Sequence, residues 1–389
     1  MRSSNRQLGF ANHAATALIA LAAACTHPSS APSVGAGATS LKEAFAGSFR
    51  VGAAVNERQF TGRDSVGAAL VRRQFNTITP ENVLKWENVH PRPGVYDFSA
   101  ADRYVEFGTR NGMFVVGHTL IWHSQVPRWV FQDAAGNTVS RDTLLARMRD
   151  HIHTVVGRYK GRINGWDVVN EALNDDGSLR RSPWYTVIGE DYLVKAFQYA
   201  HEADPGAQLY YNDYSLDNAP KRNGAVALVK RLQAAGIPIF AVGSQSHDKM
   251  DWPSVAQLDS TIDALGGAGV KVNITELDVD VLPPATQSRG ADVGTRGQAS
   301  PATNPYAAGL PDSVQRALAA RYADLFRVFA SHRSVIDRVT FWGVGDGDSW
   351  LNNWPVPGRA SYPLLFDRTD RPKPAFDAVI SVAARAAAR

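Results

Sequence analysis

Of the 389 residues only one is cysteine, Cys25. Intrachain disulfides and multi-cysteine zinc or iron–sulfur sites are thereby excluded. Excess charge is also scarce: 41 Lys and Arg against 37 Asp and Glu leave +4, and setting aside Arg2 and Arg6 leaves about +2. Such a balance is no electrostatic footprint for nucleic acid, and none is expected as a partner. No GxGxxG opens a helix after the first strand-like run, which argues against a dinucleotide site. The apolar run Ala14 to Ala24 is too short to span a membrane. What remains is a globular composition, 44% hydrophobic and 20% charged. Nine Trp and twelve Tyr are the positive clue, since flat rings stack on sugars and aromatic ligands.

The first forty residues read as an address. Arg2 and Arg6 precede the Ala14–Ala24 run, which ends in small residues, the layout of a secretory signal over residues 1–24. Cys25 follows Leu21-Ala22-Ala23-Ala24 directly, as in a bacterial lipobox whose cysteine is lipidated, although Ala22 replaces the usual larger aliphatic residue. Residues 25–40, rich in Ser, Pro, Gly and Ala, then form a flexible tether. The expectation is an exported, membrane-anchored lipoprotein, touching the membrane only through that lipid. Plain cleavage near Ala24, giving a periplasmic or secreted protein, is the alternative.

From residue 41 to 389 one plan repeats: a short β-branched run, a polar turn, a helix-length segment. The runs are Phe49–Val55, Asn76–Thr79, Phe114–Ile121, Ile163–Val169, Gln208–Tyr211, Ile239–Gly243, Val270–Ile274 and Val339–Val344. Helical patterns between them include Leu144–Tyr159, Ala225–Ala235 and Val314–Ala330. Parallel strands need crossovers of a dozen or more residues, and every gap is long enough. Runs that are apolar on both parities suit strands buried on both faces. Eight such units predict an α/β fold, a single (β/α)8 TIM barrel. Pro283 to Pro311 breaks the rhythm and is expected to be a partly ordered loop on the mouth side.

In such barrels the site lies at the C-terminal strand ends. Reading only those exits collects Glu81-Asn82-x-x-Lys85-Trp86, His118 to Gln125, Trp166 to Glu171, Tyr211 to Tyr214, Gly243 to His247, Ile274 to Asp278 and Thr340 to Gly343. Side chains two apart share a face of a strand, so Gln245 goes with His247 and Glu276 with Asp278. Polar groups gathered at one mouth are costly unless they bond one another or a polar ligand. Glu171 and Glu276 each end an apolar strand on opposite sides of the barrel. Paired carboxyls suit glycoside hydrolysis, one protonating the leaving oxygen while the other attacks or activates water. Asn170 can donate to a sugar hydroxyl between them.

Trp166-Asp167-Val168-Val169-Asn170-Glu171-Ala172 and Ile274-Thr275-Glu276-Leu277-Asp278 resemble the two signatures of glycoside hydrolase family 10, the endo-β-1,4-xylanases. Further matches are the Glu81 and His118–Gln125 segments, Gln245-Ser246-His247 and Phe341-Trp342-Gly343-Val344, in the family's order from residue 41 onward. The resemblance implies a retaining mechanism with Glu171 as acid/base and Glu276 as nucleophile, supported by Asn170, His247 and Asp278. It implies binding roles for Glu81, Asn82, Lys85, His118, Trp122, Gln125, Tyr214 and Gln245, with Trp342 and Trp350 as aromatic walls. Xylan and xylo-oligosaccharides are the implied partners, acted on by a monomer without metal or cofactor. Glu171 is expected to be kept protonated by the neighbouring carboxylate. The chain departs from the pattern at Gly345, where the family often carries Thr.

Other readings stay open. Another retaining β-1,4-glycanase acting on cellulose or mixed glucan, a non-catalytic surface glycan-binding lipoprotein, and a metal-dependent barrel hydrolase are the rivals. His151 and His153 face different sides of a helix and are expected at the surface. Asp346-Gly347-Asp348 reads as a turn, lacking the further ligands of a calcium loop.

Overall fold

The computed structural model describes residues 40–285 and 291–387. The expected signal and residues 25–39 of the expected tether, Cys25 among them, lie outside the described residues. Eight strands form the barrel: β1 (Arg50–Val55), β2 (Thr77–Pro80), β3 (Phe114–Ile121), β4 (Gly165–Asn170), β5 (Gln208–Asp213), β6 (Ile239–Ser244), β7 (Lys271–Asp280) and β8 (Ile336–Phe341). Each runs parallel to its neighbours, β6 pairs with β7, and β8 closes on β1. A short segment, His247–Lys249, continues the line of β6 and pairs with Asp278–Asp280 at the end of β7. Seven crossover helices and a helix after β8 surround the strands: α1 (Ser65–Gln74), α2 (Ser99–Arg110), α3 (Arg141–Arg158), α4 (Tyr192–Ala203), α5 (Ala219–Ala234), α6 (Val255–Gly267), α7 (Asp312–Ser331) and, last, α8 (Pro374–Ala387). The predicted (β/α)8 barrel is what the chain forms.

Local chemistry starts and packs these elements. Asp64 caps α1 by accepting from Gly67 N at 2.9 Å. Ser254 and Gln257 cap α6 reciprocally. All six residues of β4 are buried, as its apolar run on both parities requires. Gly117 on β3 is there for close approach: a Cβ would lie 2.1 Å from the Trp166 ring. Of the nine tryptophans, Trp86, Trp166 and Trp184 are fully buried packing residues rather than sugar platforms.

Two expectations change and a third holds. β7 runs to Asp280, well past Ile274, because Glu276 and Asp278 have partners that let a strand carry them (below). His151 is buried rather than at the surface, its ring stacked on Trp86 at 3.6 Å and its Nδ1 3.3 Å from His90 Nδ1. The segment after β7 carries a 3-10 turn, Pro301–Thr303, and reaches the mouth as expected. Among the described residues no helix is long and apolar enough to cross a membrane.

Candidate active site

A cavity of about 240 Å³ opens at the C-terminal mouth. Its lining comes from Glu81, Asn82 and Lys85 after β2, His118, Trp122 and Gln125 of β3 and its exit, and Asn170 and Glu171 at the end of β4. Gln245, His247, Glu276, Trp342, Asp348 and Trp350 complete the polar and aromatic wall, with Ala291 and Val293 from the loop after β7.

Glu171 follows the last residue of β4 in a left-handed conformation, φ 57°, which costs a non-glycine residue roughly 1–3 kcal/mol. Both its main-chain groups are held: its N donates to Asn212 O at 2.8 Å, and its O accepts from Arg180 Nε at 3.1 Å. The turn swings the carboxyl into the cavity, where it accepts from Trp122 Nε1 (2.7 Å), Gln245 Nε2 (3.0 Å) and Asn170 Nδ2 (3.3 Å). Burial, and then the charge of Asp213, push its pKa up to about 7 against those donors. Glu276 contributes less than either, so the neighbouring carboxylate expected to keep Glu171 protonated is a minor cause.

Glu276 meets the opposite environment. Asn212 Nδ2 donates to one oxygen at 2.8 Å and His247 Nε2 lies 3.2 Å from the other. Thr275 Oγ1 donates to Asn212 Oδ1 at 2.6 Å, which leaves the amide nitrogen facing Glu276 and Asn170. His247 Nδ1 lies 3.1 Å from Asp278 Oδ1, and Trp350 Nε1 donates to Asp278 Oδ2 at 2.7 Å. Burial works against a charged His247, but Asp278 and Glu276 outweigh it and raise its pKa to about 10. Burial likewise opposes ionisation of Glu276, yet the His247 hydrogen bond and the charges of His118 and His247 hold its carboxyl below its ordinary 4.5. Within one cavity, therefore, Glu171 is biased towards the acid and Glu276 towards the anion.

The remaining polar floor is built around Lys85, which donates to Asn82 Oδ1 (3.0 Å) and Gln125 Oε1 (2.8 Å). Burial and the charge of Asp348 push Glu81 up to about 7. His118 Nδ1 lies 2.9 Å from Asp167 Oδ2 in the barrel interior, and Trp342 packs against the His118 ring.

The sequence model of glycosyl hydrolase family 10 matches residues 40–382. The chain belongs to that family. It is 46% identical over 307 residues to endo-1,4-beta-xylanase A of Xylanibacter ruminicola, covering 79% of this chain and 83% of that one. With a beta-1,4-xylanase of Dictyoglomus thermophilum the identity is 44% over 303 residues, covering 77% and 80%. A solved family 10 endoxylanase retrieved from a sugarcane soil metagenome superposes with a TM-score of 0.85 at 48% identity, over 88% of this chain and 99% of that chain.

Against the family 10 pattern, one expected binding residue stands elsewhere. Tyr214 does not line the cavity: β5 ends at Asp213, and the buried Lys221 ammonium lies 3.3 Å from the Tyr214 ring centre. Its hydroxyl accepts from Arg180 at 2.8 Å. Asp278, expected as support for the nucleophile, stands behind His247. Gly345, where the family often has Thr, leaves no loose space. A Cβ there would lie 2.4 Å from Asp370 Oδ1, so the Asp370 carboxyl occupies what a side chain would need. Sequence reasoning collected Asn212 and Asp213 at the β5 exit without giving them a role, and missed Arg180, Asp348, Ala291 and Val293. Asn212 and Asp213 were visible as a polar pair ending an apolar strand, and Asp348 lay inside the segment read as a turn. Nothing in the pattern marked Arg180 or the two apolar loop residues.

Proposed function

We propose that this chain is a retaining endo-1,4-β-xylanase in which Glu171 is the general acid/base and Glu276 the nucleophile. The observation that carries the assignment is the opposite bias of the two carboxyls in one cavity, one raised to about 7 and the other held below 4.5. Environments that push paired titratable groups apart mark acid and base. In the first step a Glu276 oxygen bonds to the anomeric carbon as the glycosidic C–O bond breaks, and the Glu171 proton passes to the leaving oxygen. In the second, ionised Glu171 takes a proton from water, the water oxygen bonds to the same carbon, and Glu276 leaves as carboxylate. Asn170 is suited to hold a sugar hydroxyl as positive charge develops on the ring. His247, Asp278 and Trp350 keep Glu276 ionised and oriented. Both curated relatives named above are xylanases, which favours xylan and xylo-oligosaccharides as the substrates here.

Xylan preference is assigned to a narrow glycone side in which Glu81, Lys85, Trp122 and Trp350 leave little room for a hydroxymethyl group. Initial rates on xylan and on carboxymethylcellulose test this reading, with xylan expected to be strongly preferred. Equal specific activity on the two would instead indicate a broader β-1,4-glycanase. The same proposal includes export and a lipid on Cys25, with residues 26–40 as tether to a monomeric catalytic barrel.

A further inference from the structure

The N-terminal ends of the strands, at the far end of the barrel from the catalytic mouth, carry a ring of cations. Arg72 and Arg73 stand in the last turn of α1, and Lys160 and Arg162 in the turn before β4. Lys271 opens β7, and Arg333 lies in the turn before β8. All six are exposed, and among the described residues none has a carboxylate within ion-pair distance. Arg162 and Lys271 donate to main-chain oxygens, those of Arg158 and Ser334, which leaves their charge uncompensated. The acids at this end are mostly engaged. Asp337 pairs with Arg50, Glu106 with Arg110 and Glu202 with Arg149, while Asp204 is buried and accepts from Gly161 N and Gly206 N. Glu43, beside Lys42, is exposed there as well. The whole chain sums to only +4, so the surface away from this end has no cationic excess.

The chain also enters the barrel at this end. Leu41 N donates to Gln74 Oε1 at 3.0 Å and Lys42 Nζ to Arg72 O at 2.7 Å, which fastens the short helix Leu41–Ala44 to the end of α1. Residues 26–39, which join it to Cys25, span at most about 50 Å. A lipid on Cys25 thus keeps the barrel beside the bilayer without choosing which end faces it. Resting on the proposed export and lipid at Cys25, we infer that the cationic end docks on a membrane surface of anionic phospholipid headgroups. The catalytic mouth then faces away from the bilayer, towards the polymer, and the membrane is touched by the barrel as well as by the lipid. Separated charges around a rim suit a flat array of phosphates, whereas a single bound anion needs donors that converge on one point. The attraction dies away within a Debye length, so the contact orients the barrel and salt undoes it. Anchoring is left to the lipid, in the pairing of an acyl signal with a basic patch.

The test removes the lipid. Full-chain Cys25→Ser protein is sedimented with vesicles of phosphatidylcholine alone, and with vesicles of phosphatidylcholine and phosphatidylglycerol in equal parts, at low and at high salt. At low salt, binding to the mixed vesicles should exceed binding to phosphatidylcholine by on the order of tenfold or more, and high salt should abolish the excess. Adding Arg72→Ser, Arg73→Ser, Arg162→Ser and Arg333→Ser together should remove most of the excess and leave xylohexaose cleavage unchanged. Arg58, Arg63, Arg128 and Arg181 are exposed in the loops after β1, β3 and β4, at the mouth end, and supply the control. Arg58→Ser, Arg63→Ser, Arg128→Ser and Arg181→Ser together should leave the excess in place. Equal binding of the Cys25→Ser protein to the two kinds of vesicle, or equal losses from the two fourfold variants, would overturn the inference. Because no lipid takes part, either failure would leave the Cys25 reading standing, and cell fractionation tests that reading by itself.

Discussion

Glu276 accepts from Asn212 and His247, and His247 is in turn held by Asp278, whose other oxygen accepts from the Trp350 indole. This chain of contacts fixes a sign. With the proposed roles, turnover needs Glu276 ionised and Glu171 protonated, so kcat/KM should fall on the acid side as Glu276 takes a proton and on the alkaline side near pH 7 as Glu171 loses one. Replacing Asp278 with Asn removes the main influence that keeps His247 charged. Without a charged donor, the Glu276 carboxyl titrates at higher pH, and the acid limb of kcat/KM should move up by about one pH unit or more. The alkaline limb, set by burial of Glu171 and by Asp213, should stay near its place. An acid limb unmoved in Asp278→Asn would show that His247 and Asp278 do not tune the nucleophile.

At the scale of elements, β7 was the least legible strand and the most consequential. Its apolar run stops at Ile274, and the sequence places Glu276 and Asp278 together on one face at its exit without marking that the strand continues to Asp280. The strand continues because each carboxyl has an imidazole, amide or indole partner supplied by another strand or loop, which no local pattern in β7 records. For His151, the i,i+2 spacing separates it from His153 but does not say which of them faces the core. Its neighbour in space is Trp86, 65 positions earlier, so burial could not be read from α3 alone. That burial carries a prediction. The pKa of His90 falls to about 4 and that of His151 lies well below its ordinary 6.5, in both cases chiefly through burial. The unfolded chain takes up protons near pH 6.5 that the folded chain refuses. The neutral pair therefore costs no stability above pH 6.5, and stability declines as pH falls from there towards 4. Each such histidine contributes roughly 1.4 kcal/mol per pH unit to the slope. His151→Phe keeps a ring against Trp86 and removes the proton site, so its unfolding free energy, measured in urea from pH 7 to 4.5, should fall less steeply than that of the wild type. Parallel slopes would contradict the linkage.

For the whole molecule, the closed barrel is what makes two glutamates from distant segments face one cavity. Its rhythm was legible because parallel strands buried on both faces leave apolar runs, and because their crossovers have a minimum length. The polar exits were legible for the complementary reason that buried polar groups at strand ends demand partners. The loop contributions were not: Ala291, Val293 and Arg180 act by position, and position in a loop follows from packing that the local sequence does not encode. The N-terminal address makes a separate prediction at this scale. If lipid on Cys25 anchors the enzyme, Cys25→Ser should move activity from the membrane fraction of producing cells to the soluble fraction. A Ser variant that sediments with membranes as the wild type does would refute the anchor.

The division of labour between the two carboxyls is tested most directly by azide rescue of the Glu171→Ala variant on an aryl xylobioside with an acidic leaving group. Such a leaving group departs without a proton, so Glu276 should still form the covalent intermediate in this variant, and breakdown of that intermediate should be slow for want of a base. Azide needs no base and should attack from the face that Glu276 does not occupy. The account predicts that azide accelerates turnover and that NMR identifies the product as the β-glycosyl azide, with retained configuration. An α-glycosyl azide would contradict it, because that product requires direct displacement with no intermediate on Glu276.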